Sequence, residues 1–129
     1  MSTKTSYRDL VVWQKAMDVS VQIYEVTSRF PNEERYGLSH QMRRAAVSIA
    51  SNIAEGYGRT THRQKYSFLE NARGSAYELE TQIELARRLG YDHDTLPALS
   101  VEIGLIGSGI SSLMRYVERD SHDHTTVRP

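Results

Sequence analysis

The sequence of 129 residues contains no cysteine. That removes disulfides, thiolate metal ligands and thiol nucleophiles together. Proline occurs only at Pro31, Pro97 and Pro129, so long stretches are free of the residue that most strongly breaks helices. Net charge is also lacking: sixteen Lys and Arg balance sixteen Asp and Glu, which argues against a dedicated, high-affinity nucleic-acid binder. The first residues, MSTKTSYRDL, have no apolar run before a small-residue cleavage site, so no signal peptide is expected. No stretch approaches the roughly 20 apolar residues of a membrane span. These absences lead to the expectation of a cytoplasmic protein of one domain, residues 1–129, with a core at 7–117 and a polar, fraying tail at 118–129.

What the chain does contain is helical periodicity. In LSHQMRRAAVSIASNIAEGYGR, Leu38, Met42, Ala45, Ile49, Asn52 and Gly56 recur at spacings of four and three, the repeat of one face of a helix packed almost parallel to others. The spacing predicts a second helix over 38–56, on the order of 28 Å long, with Gly56 or Gly58 taking a left-handed closing position. A first helix is expected to start near Asp9 as its cap and to end before Phe30–Pro31. It carries adjacent stripes Leu10, Trp13, Met17, Ser20, Tyr24, Thr27 and Val12, Ala16, Val19, Ile23, Val26. Phe30 is expected to plug the end of the core. A third helix over 62–89, capped by Thr61 with Gln64, places Leu69, Ala72, Ala76, Leu79, Ile83 and Ala86 on one face, and Gly90 ends it. A fourth, capped by Asp94 or Thr95, repeats the pattern through Leu99, Ile103, Ile106, Ile110, Leu113 and Val117. Four amphipathic helices joined by short turns predict an all-α, antiparallel up-down-up-down four-helix bundle.

Charge is distributed unevenly within the neutral total. Residues 37–90 hold eight Lys and Arg against five Asp and Glu, and residues 91–129 hold three against six. Arg43, Arg59, Arg63, Lys65 and Arg73 form a basic band suited to phosphates, the more so if oligomerisation repeats it around a ring. Arg44 flanks the packed stripe and is expected to pair with a carboxylate on a facing helix, Glu78 or Glu55, with Arg43 the more exposed of the two. Asn52, on an apolar stripe, is expected to act as a buried amide that fixes helix register.

Val11, Val21, Val101 and Leu105 lie off the main stripes and exceed what a monomeric bundle buries, which marks a protein–protein face. Gly104, Gly107 and Gly109, inside the fourth helix, each cost roughly 1 kcal/mol against Ala; either the helix is locally weakened there, or another backbone, such as a neighbouring subunit's, approaches closely at Gly107 and Gly109.

Chemistry finds little support. No Glu is followed by His at the spacing di-iron bundles use, and no three or four metal ligands converge. There is no G-x-S-x-G elbow, and Gly56-x-Gly58 follows a helix rather than a strand. The expectation is a non-enzymatic protein with no cofactor and no metal.

The segments LVVWQKA, QMRRAAVSIASNIAEGYGR and FLENARGSAYELETQIELARRLGY resemble the bacterial four helix bundle protein family, which includes proteins encoded in intervening sequences of large-subunit ribosomal RNA genes. The resemblance spans roughly residues 7–117. In architecture the chain is also distantly similar to accessory proteins of diversity-generating retroelements. The resemblance implies a homopentameric ring with a central channel; in the retroelement relatives the ring binds nucleic acid and a reverse transcriptase. The two functional expectations are therefore an RNA-binding homo-oligomer, or a protein–protein adaptor without nucleic acid.

Overall fold

The computed structural model describes the backbone of residues 6–127 and the side chains of residues 6–120. Helix α1 covers Val11–Thr27, α2 Leu38–Tyr57, α3 His62–Arg88 and α4 Leu96–Val127. Short 3-10 turns at Tyr7–Asp9 and Asn32–Glu34 precede α1 and α2. Among the described residues there is no strand. Each helix packs on two others: α1 on α2 and α4, α3 on α2 and α4, while α1–α3 and α2–α4 lie across the diagonals. This is the up-down-up-down bundle that short connections impose.

The core follows the apolar periodicity with one shift. On α3 all six stripe residues, Leu69 to Ala86, are buried. On α1 the buried line is Ala16, Val19, Ile23 and Val26, whereas Met17 and Tyr24 of the other stripe are exposed. On α4, Met114 takes the last buried position and Leu113 and Val117 lie at the core's edge. Each large aliphatic so buried contributes on the order of 2 kcal/mol of transfer free energy. Phe30 is buried at one end and packs on Tyr91, ring centroids 5.0 Å apart.

Several boundaries differ from expectation for local reasons. Asp9 does not cap α1. Its carboxylate accepts from the Ser6 N–H at 3.1 Å while the Ser6 hydroxyl accepts from Arg8 N–H at 3.0 Å, so both are used in a separate turn. Leu10, extended at φ −73°, ψ 124°, then resets the chain for α1. Gly56 does not stop α2. It lies inside the helix, where a Cβ would sit 3.0 Å from the Cβ of Phe68; its smallness lets α2 and α3 approach. Gly58 closes α2 in right-handed geometry, φ −81°. Gly90 does adopt the left-handed conformation, φ +83°, after α3, which suits a helix end.

Of the two expected caps of α4, Thr95 rather than Asp94 directly precedes the helix, its carbonyl accepting from the Leu99 N–H at 3.2 Å, and Asp92 anchors the turn before it. The Asp92 Oδ1 accepts from Thr95 N–H at 3.1 Å, and its Oδ2 receives Arg29 Nη2 at 2.7 Å. Burial opposes the charge on Asp92 more than any other single influence. The Arg29 side chain, with the Thr95 backbone and hydroxyl, outweighs it and holds the carboxyl below its usual value. Nearby, the hydrogen bond that Tyr91 donates to Glu34 at 2.9 Å raises the phenol. Residues 118–127, expected to fray, continue α4 to Val127. One further expectation is corrected: within Leu96–Asp120 an 18-residue window reaches a mean hydropathy of 1.4, enough to cross a membrane by length and composition alone. Its buried face is the α4 contribution to the core.

Candidate interaction surfaces

The basic band does not form one surface. Arg43 is half-buried and faces α1: its Nε donates to the Thr27 hydroxyl at 2.8 Å, Nη2 to the Tyr24 carbonyl at 3.3 Å, and its guanidinium lies 4.6 Å from the centre of the Tyr24 ring. Arg73, also half-buried, donates to the Ser111 hydroxyl on α4 at 3.2 Å. The α1–α2 and α3–α4 seams are opposite sides of the square, so Arg43 and Arg73 stand on opposite faces.

Arg59, Arg63 and Lys65 do come together, at the α2–α3 turn. Arg59 pairs with Glu55 at 2.7 Å and stacks over Phe68 at 4.6 Å. Lys65 donates to the Tyr57 carbonyl at 3.2 Å, with its ammonium 5.8 Å from that ring. Arg63 is exposed and has no ion pair among the described residues.

The expected order of the arginine pair is reversed: Arg43 is the packed one and Arg44 is exposed. Arg44 pairs with neither Glu55, which is taken by Arg59, nor Glu78, which is exposed. The half-buried Asn52 donates to the Ser48 carbonyl at 2.9 Å and to its hydroxyl at 3.0 Å. The Ser48 hydroxyl in turn contacts the Ser75 hydroxyl on α3 at 2.8 Å. The Asn52 amide thus feeds a short polar chain across the α2–α3 seam. The signal for it was Ser48, one turn before Asn52, which stripe analysis passes over as a small residue.

The off-stripe aliphatics are all exposed: Val11 63 %, Val21 56 %, Val101 64 % and Leu105 52 %. Val11 and Leu105, but not Val21 or Val101, line a groove of about 280 Å³ between α1 and α4, with Val12, Lys15, Ile106 and Gly109. Of Gly107 and Gly109, Gly109 is closely approached, by a side chain of the same bundle rather than by a backbone: a Cβ there would sit 3.2 Å from Val12 Cγ2. Gly107 is buried, yet a Cβ on it would meet nothing within 4 Å outside its own helical backbone.

Beyond the groove, Ala98, Val101, Leu105, Ser108 and Ser112 repeat at spacings of three and four along the outside of α4, all exposed. Between Leu96 and Met114 the one charged residue is Glu102. The stripe is a second seam of the kind helices use to pack, with no partner among the described residues.

Among the described residues no three His, Asp or Glu side chains are grouped to hold a metal ion. His122 and His124 lie outside the described side chains.

Fold and surface together define a four-helix bundle with an unpartnered, uncharged helix face. Residues 8–107 match the 23S rRNA-intervening sequence protein family, and the chain belongs to that family. The fold is similar to the crystal structure of a protein of unknown function from the S23 ribosomal protein family of Bacteroides thetaiotaomicron. The TM-score is 0.75 at 24 % identity, over 81 % of this chain and 96 % of that one. A comparison with curated proteins gives no match.

Proposed function

We propose that this protein is a non-enzymatic, self-assembling helical bundle of the cytoplasm that acts by binding, with five copies forming a ring and RNA as the partner class. The observation that carries the assembly is the uncharged outer stripe of α4 beside the α1–α4 groove. An exposed row of Val101 and Leu105 flanked by small residues gains by burial against another helix, and closed symmetry removes it from water in every copy. Light scattering tests it. A mass several times 14.7 kDa is expected, and a single-chain mass at working concentration refutes it.

RNA is favoured by the family to which the chain belongs and by the cations at the α2–α3 turn. Arg63 and Arg44 are free of ion pairs among the described residues, and a ring multiplies them. Binding to RNA that falls steeply between low and moderate salt is expected; salt-insensitive binding, or none at low salt, overturns it.

One observation favours a protein adaptor instead. Arg43, Arg59, Lys65 and Arg73 already have partners within the chain. A protein partner, such as a reverse transcriptase, that stays bound after nuclease treatment would select that reading.

A further inference from the structure

At the end of the bundle where α2 stops and α3 begins, the described residues do not seal the core. A cavity of about 230 Å³ opens there, with Leu10, Ile53, Leu69, Leu113 and Val117 forming its apolar interior. For comparison, an apolar cavity of about 150 Å³ accommodates benzene. The space therefore suits a chain or ring of about eight to ten heavy atoms. Water alone is poorly suited to it, because water needs two or more polar partners and the interior residues are aliphatic.

The polar groups are confined to the mouth, and they are not electrically equivalent. His62 Nε2 meets Asp120 Oδ2 at 2.6 Å, so the one carboxylate among the described lining residues is held by an imidazole across α3 and α4. Lys65 has no carboxylate partner among the described residues. Its one hydrogen bond is to the Tyr57 carbonyl, and an ammonium has three donors. Tyr57 and Tyr116, both partly exposed, stand beside it. Among the described residues the lining thus offers an aliphatic sleeve and a cation with donors to spare, a combination matched to an amphiphile with an anionic head.

We propose that this end cavity binds a small monoanionic amphiphile, a medium-chain or aryl carboxylate, with its apolar body among Ile53, Leu69 and Val117 and its carboxylate on Lys65. The site is separate from the α4 outer stripe and shares Lys65 with the cations of the α2–α3 turn. Occupancy completes the packing where α1, α2, α3 and α4 converge, so binding raises the melting temperature.

The test is titration of the full chain with octanoate, below its micellar concentration, and with 1-octanol as the uncharged match. Octanoate is expected to bind at one site per chain and to shift the methyl resonances of Leu113 and Val117. Octanol is expected to bind about tenfold more weakly, the worth of a charge-assisted hydrogen bond. Lys65→Met should weaken octanoate about tenfold and leave octanol unchanged. Val117→Trp, which fills the apolar interior, should abolish both while leaving helicity intact. The proposal is overturned if neither probe moves the Leu113 and Val117 methyls, or if Lys65→Met leaves octanoate affinity unaltered. It is equally overturned if octanoate binds only after residues 2–5 are removed, which would make the cavity a seat for the chain's own start.

Discussion

Two seams of this bundle are built on different plans. Between α2 and α3 the contact is close: Gly56 lets Phe68 approach, alanines line both helices, and Asn52, Ser48 and Ser75 join hands across the boundary. Between α1 and α4 contact is made at a few points. Gly109 meets Val12, and Arg29 on the α1 side clasps Asp92 at the approach to α4. Between these points lies a groove rimmed by exposed Val11 and Leu105. The difference teaches that, among the described residues, one seam is covered and the other is left partly open. The same residue types, small and aliphatic, occur in both; what separates them is whether a second helix is there to cover them.

The comparison can be broken most forcefully at the complete seam. Ile49→Ala, at a fully buried site on α2, should cost about 3 kcal/mol through lost transfer energy and the cavity left behind. It would be read as a lowered urea midpoint with an unchanged slope. Gly56→Val tests the opposite error. With Phe68 Cβ 3.0 Å and the Lys65 carbonyl 3.3 Å from the new Cβ, overpacking should cost about 2 kcal/mol, and a neutral result would mean the seam is looser than described.

Asp92→Asn weakens the clasp on the open side. After allowance for the half-exposed Arg29, the loss is about 1 kcal/mol at neutral pH. The sign follows from the depressed carboxyl: its contribution is present above the unfolded pKa of about 4 and disappears as pH falls through the lower folded value. Denaturation curves of parent and variant should therefore converge in acid, and a gap that persists at pH 2 would contradict this. The smallest effect on stability is expected at the incomplete seam's outer edge. Val101→Glu with Leu105→Glu should change single-chain stability by less than about 0.5 kcal/mol while reducing the assembly to one chain by light scattering.

The architecture was legible because apolar spacing and burial respond to the same geometry. Leu69 to Ala86 could be named as core from sequence because three-and-four spacing leaves α3 only one face to bury. The stripe Leu10–Thr27 was partly misjudged because two adjacent stripes compete on α1, and only the positions of α2 and α4 decide between them. The capping residues were harder still. Asp9 and Asp92 are equally good hydrogen-bond acceptors, and which one starts a helix depends on the turn geometry around each. The basic band looked like a surface because a string of cations shows neither direction nor partner. Arg43 is occupied by Tyr24 and Thr27, sixteen or more positions away in the chain. Exposure of Val101 and Leu105 was foreseeable, as both break the period of the buried stripe; Ala98, Ser108 and Ser112 extend the same line and passed as unremarkable small residues.

Three of the four packed helix pairs join segments that follow one another along the chain, and the fourth brings the first helix to the last. Folding should therefore be quick at the outset, since adjacent hairpins form before long loops must be closed. The first-to-last pairing is the slow, late event, and it is also the thinnest boundary. In hydrogen exchange, α2 and α3 amides should outlast those of α1, so the route by which the molecule closes is the route by which it first opens.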